Sequence, residues 1–320
     1  MKPSCAVFFF LAFLGLISAC TGSKVSREIP LVSHPSGLSI AGLGPCTDEL
    51  NQTLDLNLEQ PVTVLVHGCR GSAGNFGALA EVFAFHGQQA VCFSYNDRDS
   101  LSVSSAHLSR ALDSLSRQMK NPDITVIGHS QGGLLSRKAL VSEHPQSGSN
   151  SALNFRLVTI SAPFAGVSAA SHCGSVLGRV LSLGLTVPIC KMVSGDKWYE
   201  ITKFSEFMQE PGTLSPQVRS YLKISTDELG SCRQRDGNGD CVEDDYVFSL
   251  SEQYLPAIDN AMGLTSREIK AGHVEIVGNA IDPPQKLIAI LQQEGILAPT
   301  KPELHGELKK LLDKLYVFSP

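Results

Sequence analysis

Ser130 is the residue best placed to do chemistry. It stands in Gly128-His129-Ser130-Gln131-Gly132, directly after the apolar run Ile124–Ile127 and directly before a helix-compatible stretch through Leu134, Leu135, Lys138, Ala139 and Leu140. On its own the spacing Gly-x-Ser-x-Gly arises often by chance. The strand, turn and helix around it give it weight. Such a turn is tight enough that side chains at positions 128 and 132 would collide, which glycine avoids. It lifts the serine hydroxyl clear of the sheet and aims the backbone N–H of Gln131, at a helix N-terminus, at the same point. A serine hydroxyl is a poor nucleophile until a base accepts its proton. His273, in Ala271-Gly272-His273-Val274 near the C-terminus, is the candidate base. An imidazole titrates near neutrality, so it can take that proton and return it to a leaving alcohol.

The elements that must position these groups follow from apolar periodicity. Pro61–Val66, Gln89–Tyr95, Ile124–Ile127, Phe155–Ile160 and Val218–Ile224 read as strands, several of them continuous β-branched runs of the kind buried on both faces. Asn75–His86 and Leu101–Met119 carry apolar residues at helical spacing between the strands. Strands alternating with helices predict a mostly parallel sheet with helices on both faces. Pro283–Glu294 reads as a closing helix. Residues 300–320 read as a short charged helix packed on the surface through Leu304, Leu308, Leu311, Leu312 and Leu315.

Gly128-His129-Ser130-Gln131-Gly132-Gly133 resembles the elbow of α/β-hydrolase lipases and esterases. The resemblance spans about residues 60–293. It implies the α/β-hydrolase fold, with residues 165–215 forming either a cap or lid over the acyl pocket or two ordinary helices. His67-Gly68-Cys69-Arg70-Gly71 at the end of the second strand resembles the oxyanion loop of that family. It would set the Cys69 N–H beside that of Gln131, with His67 structural. Ser161-Ala162-Pro163-Phe164-Ala165-Gly166 resembles a further family turn, with Phe164 in place of His.

Members of that family order their triad as serine, acid, histidine. Asp244-Asp245-Tyr246-Val247-Phe248 resembles the family stretch that carries the acid, which assigns Asp245, with Asp244 the near alternative and Asp227 and Asp240 further back. His172 precedes the acid and His305 lies in the charged tail, so His273 keeps its role. The implied function is cleavage of carboxylic esters of apolar acyl groups through an acyl-enzyme, with no cofactor required. An acyltransferase, thioesterase or phospholipase would use the same triad. A non-catalytic lipoprotein binding module would leave it idle.

Lys2 and the apolar stretch Ala6–Ala19 have the form of an export signal, too short for a comfortable membrane span. Ser18-Ala19-Cys20 resembles a bacterial lipobox. It implies cleavage after residue 19, lipidation of Cys20, a tether and lead-in over residues 20–59, and a place in the cell envelope; with Thr21 next, the outer membrane is favoured. Periplasmic or secreted release is the alternative. An exported chain oxidises suitable thiols. Sequence proximity suggests Cys173–Cys190 and Cys232–Cys241; Cys46 could pair with Cys69, leaving Cys92 a buried free thiol.

Asp236, Asn238 and Asp240 resemble the opening of a calcium loop. Cys241 departs from that pattern, as does Val247 in place of the bidentate Glu. No Cys-x-x-Cys pair points to zinc. The chain has 320 residues with 26 Lys and Arg against 31 Asp and Glu and no basic cluster, which argues against a nucleic-acid partner.

Overall fold

The computed structural model describes residues 37–142, 153–170, 190–192, 194–279 and 282–316. The expected signal segment, Cys20, Cys173 and the middle of the expected cap lie outside the described residues.

Seven strands form one sheet in the order β1-β3-β2-β4-β5-β6-β9. They are β1 (Leu43–Gly44), β2 (Val62–Val66), β3 (Gln89–Phe93), β4 (Asp123–His129), β5 (Asn154–Ile160), β6 (Val218–Asp227) and β9 (Leu264–Lys270). All neighbours pair in parallel except β1, which runs antiparallel to β3 at one edge. A separate two-stranded hairpin, β7 (Cys232–Arg235) and β8 (Cys241–Asp244), follows β6.

The helices are α1 (Gly77–Phe85), α2 (Leu101–Gln118), α3 (Gln131–Ala139), α4 (Gln285–Gln293) and α5 (His305–Leu315), with several single-turn helices between them. Strand alternation decides which helix covers which face. Val62, Val64, Val66, Ile124, Val126, Phe155 and Leu157 pack with Leu101, Leu108, Leu112 and Leu115 of α2 and with Leu134 and Leu135 of α3. Leu65, Ile127, Val158, Ile160, Leu222 and Ile224 point the other way. They pack with Leu79, Val82 and Phe83 of α1, Leu287 and Leu291 of α4, and Leu308, Leu312 and Leu315 of α5. This is an α/β-hydrolase sheet with helices on both faces.

The folded body begins before residue 60. Leu38 and Leu54 bridge, and Leu43, Leu54 and Leu56 are buried in the core. The disulfide expectations divide along the same line. Cys232–Cys241 closes the β7–β8 hairpin as expected. Cys190 is disulfide-bonded.

Cys46, however, is bonded to Cys92, and Cys69 is free. Both the Cys46–Cys69 pairing and the free Cys92 are therefore corrected. The reason is sheet order. The edge strand β1 pairs with β3, matching Gly44 to Cys92, which brings the Cα atoms of Cys46 and Cys92 to 4.9 Å. Proximity in sequence carries no information about which strand lies next to which.

Candidate active site

β4 ends at His129 and α3 begins at Gln131, so Ser130 is the whole of the turn. Its backbone is at φ 56° and ψ −123°, a conformation that costs a residue with a Cβ about 1–3 kcal/mol. The fold holds it there. Ser130 N–H donates to Ile160 O at 2.8 Å, and Ser130 O accepts from Gly133 N at 2.9 Å. A Cβ at Gly132 would fall on the carbonyls of Val66 and His67, and one at Gly128 on the Gly132 backbone. These glycines are required by close backbone approach. Gln131 is the first residue of α3, whose N–H has no acceptor within the helix.

The loop after β2 closes on this turn. A Cβ added at Gly68 would lie 3.0 Å from Ser130 Cβ and 3.2 Å from His129 O. His67 is buried; its Nδ1–H donates to Gly68 O, its ring stacks on Tyr95 at 4.3 Å, and its carbonyl accepts from Tyr95 Oη. Burial pushes its imidazole below the ordinary value, consistent with a structural part.

Cys69 and Gln131 meet at one ammonium group. Lys197, buried at 3 % exposure, donates to Gln131 Oε1 at 2.6 Å and to the carbonyl of Asp97, with Cys69 Sγ at 3.3 Å. Gln131 Nε2 also donates to Asp97 O. Burial pushes the Asp97 carboxyl up, but the Arg70 N–H and Lys197 outweigh it and hold the group below its ordinary range.

His273 lies on the loop after β9 and is buried. Its Nδ1 is 2.8 Å from Glu228 Oε1. A carboxylate can only accept, so Nδ1 carries the proton and Nε2 is left as the ring's basic nitrogen. Glu228 is fully buried, and each of its oxygens is engaged. Oε1 also accepts from Thr226 Oγ1 at 3.0 Å, and Oε2 accepts from the N–H groups of Val247 and Phe248 at 2.7 and 2.8 Å. The imidazole is gripped between Phe248, edge-on at 4.9 Å, and His129 at 4.7 Å.

His129 ties the two parts together, its Nε2–H donating to His273 O at 2.9 Å. Burial, reinforced by His273, pushes His129 well below its ordinary value, so it is a neutral donor. Ser130 is thus one residue from a side chain bonded to the backbone of His273.

The lipase (class 2) family model matches residues 59–237, more than half of the chain. The chain belongs to the class 2 lipase family. It is a lipase/esterase-type hydrolase. The mature form of a Bacillus licheniformis lipase, BlEst2, superposes with a TM-score of 0.50 at 17% identity, covering 75% of this chain and 94% of that one. The propeptide form of that lipase gives 0.54 at 16% identity, covering 81% and 54%. These likenesses speak to the fold. No curated protein sequence matches the chain.

In this lipase the acid expected to face the histidine is corrected. Asp245 is fully buried, but its carboxylate accepts from the N–H groups of Val274 and Glu275 and from Arg233; it is Glu228 that bonds the imidazole. The physical reason is strand length. β6 runs three residues beyond Ile224, to Asp227, so the residue at its carboxyl end is Glu228, and Asp245 arrives only after the hairpin. A carboxylate one residue past the C-terminal end of a buried parallel strand, followed closely by Gly230, was the signal available in the sequence. Asp244 and Asp240 belong to the hairpin, where Asp240 N donates to Asp236 Oδ1; Asp227 pairs with Lys270.

The calcium reading of Asp236, Asn238 and Asp240 finds no support. Asp236 Oδ1 accepts the N–H groups of Asn238 and Asp240 within its own turn, and no metal-holding group of three or more carboxylate, His or Cys side chains occurs among the described residues. Lys197 was missed altogether, because nothing local marks a lysine that becomes buried. Its segment is pinned to the body of the fold: Asp196 N–H donates to Arg98 O at 2.7 Å, and Glu200 accepts the N–H of Leu101 at the start of α2. No described helix is long and apolar enough to cross a membrane.

Proposed function

We propose that this lipase cleaves carboxylic esters through an acyl-enzyme on Ser130, with His273 as the base and Glu228 as the acid that orients it. The observation that carries the reading is the bridge from the strained turn at Ser130 through His129 to a histidine whose Nδ1 is occupied by a buried carboxylate. His273 Nε2 takes the Ser130 proton as the hydroxyl attacks the ester carbonyl. Glu228 stabilises the imidazolium that forms. The N–H groups of Cys69 and Gln131 receive the oxyanion, and Lys197 holds the two residues side by side. His273 returns the proton to the leaving alcohol. Water then repeats the sequence against the acyl-enzyme.

The favoured substrates are esters of apolar acyl groups, on the strength of the family. Export, with a lipid on Cys20 as anchor, follows from the leader sequence and agrees with a disulfide-bonded body.

A fluorophosphonate probe tests the reading. Wild type should label, and Ser130→Ala and His273→Ala should not. Folded wild type that stays unlabelled in detergent would overturn it. Acyl transfer to an added alcohol in preference to water would convert the reading to an acyltransferase. Mass spectrometry of the mature N-terminus tests the anchor, the expected product being a diacylglyceryl-modified Cys20.

A further inference from the structure

We propose that Asp245 and Arg233 form a brace that positions His273, and that the β7–β8 hairpin exists in this chain to deliver that brace. The inference rests on the reading of His273 as the base.

The loop carrying His273 closes on itself through Gly272 N–H to Glu275 Oε2 and Ile276 N–H to Gly272 O, but the amides of residues 273–275 are left to Asp245. Its backbone carbonyl accepts from His273 N–H at 3.0 Å. Its carboxylate accepts from the next two amides: Val274 N–H lies 3.1 and 3.0 Å from Oδ1 and Oδ2, and Glu275 N–H 2.9 Å from Oδ2. Three successive amides of the loop, beginning at the histidine itself, therefore end on one residue. Gly272 makes the approach possible, since a Cβ there would fall on the Asp245 carboxylate.

Burying a carboxylate is costly unless it is hydrogen-bonded or paired with an opposite charge. Arg233 provides it, placing Nε and one terminal nitrogen 3.2 and 2.9 Å from Oδ1 while the other donates to Glu243 at 3.0 Å. Arg233 is on β7 and Glu243 on β8, and Cys232–Cys241 closes the ladder between them. Asp245 is the first residue after β8, and its N–H donates to Ser231 O just before β7. The hairpin thus leaves the sheet after Glu228, turns, and returns with both members of the brace. Asp245 touches neither the imidazole nor the serine in this arrangement. It acts through the backbone of the residue that does.

The test compares Arg233→Met, Arg233→Lys and Asp245→Asn with wild type, with Ser130→Ala as the blank. Two quantities are read: steady-state hydrolysis of a soluble short-chain p-nitrophenyl ester, with active sites counted by fluorophosphonate titration, and amide hydrogen exchange over residues 271–277. Arg233→Met is expected to lower kcat about 10-fold and Asp245→Asn on the order of 10- to 100-fold, the scale of a misplaced catalytic group, with KM changed less than about 2-fold. Both should speed exchange at residues 273–275 while the central strands stay protected. Arg233→Lys should recover part of kcat.

The brace is overturned if both variants fold with wild-type exchange over 273–275. It is also overturned if exchange rises but kcat per titrated site is unchanged, which would make the contacts merely structural. Should wild type neither label nor hydrolyse, the serine reading fails, while the exchange arm still decides whether Asp245 and Arg233 hold the loop.

Discussion

Ser130 is held by atoms of its own turn and the two strands beside it, whereas His273 is held by residues 28 to 144 positions away: Asp245, Glu228 and His129. The Ser130 half of the site is a local backbone device. Its glycines, its positive φ and its helix N-terminus all lie between residues 128 and 133, and replacing any of them breaks a close approach. The histidine half is an assembly of long-range hydrogen bonds around an otherwise ordinary loop. The contrast predicts that the first half tolerates little change in sequence, while the second tolerates change wherever the hydrogen bonds can be remade.

Variants in the two halves should break that comparison in different ways. The largest effect is expected for Ser130→Ala, which should cost at least about 10³-fold in kcat toward a soluble ester and leave thermal stability near wild type, since the turn's backbone bonds remain. Lys197→Met comes next. It removes the cation that aligns Cys69 and Gln131, and kcat should fall by on the order of 10- to 100-fold, within the loss seen when one oxyanion donor is removed. An unchanged kcat would show that the two N–H groups hold their places without Lys197.

The disulfides should separate stability from activity. With a sequence separation of 46 for Cys46–Cys92 and 9 for Cys232–Cys241, loop-closure entropy assigns about 4 kcal/mol to the first and about 2.6 kcal/mol to the second. Urea unfolding of the paired serine variants should therefore show the larger loss for Cys46/Cys92. The assay should show the larger fall in kcat for Cys232/Cys241, whose hairpin carries Arg233.

The smallest effect concerns pH. His129 is held neutral with its folded value depressed below 6.5. The unfolded chain gains a proton as pH falls below about 6.5 and the native state does not, so stability is intact above that pH and declines below it by up to about 1.4 kcal/mol per pH unit. His67, shifted in the same direction, adds to the decline. His129→Asn should flatten the acid side of the stability profile by about one proton, read by denaturant titration between pH 6.5 and 5.

The same contrast explains what could be read from the sequence. The turn at Ser130, the loop after β2 and the buried strands were legible because each is a local pattern of glycines and β-branched residues. β9 was not, because Leu264–Lys270 is an edge strand whose Arg267, Glu268 and Lys270 hide the alternation. Glu228 was not, because β6 runs past Ile224 and the signal of an acid at a strand end ahead of Gly230 is shared by its neighbour Asp227. The Cys46–Cys92 bond depends on sheet order, and Lys197 on tertiary burial, and neither leaves a local trace.

The central claim is that Glu228, rather than Asp245, orients His273. The most direct measurement is kcat of Glu228→Gln beside Asp245→Asn on the same soluble ester, each normalised to folded protein by thermal melting. Glu228→Gln should lose about 10³- to 10⁴-fold, the loss expected when the carboxylate that sets the histidine tautomer becomes an amide, and should exceed the Asp245→Asn loss by at least about 10-fold. A folded Glu228→Gln enzyme that keeps most of its activity while Asp245→Asn is inactive would contradict it.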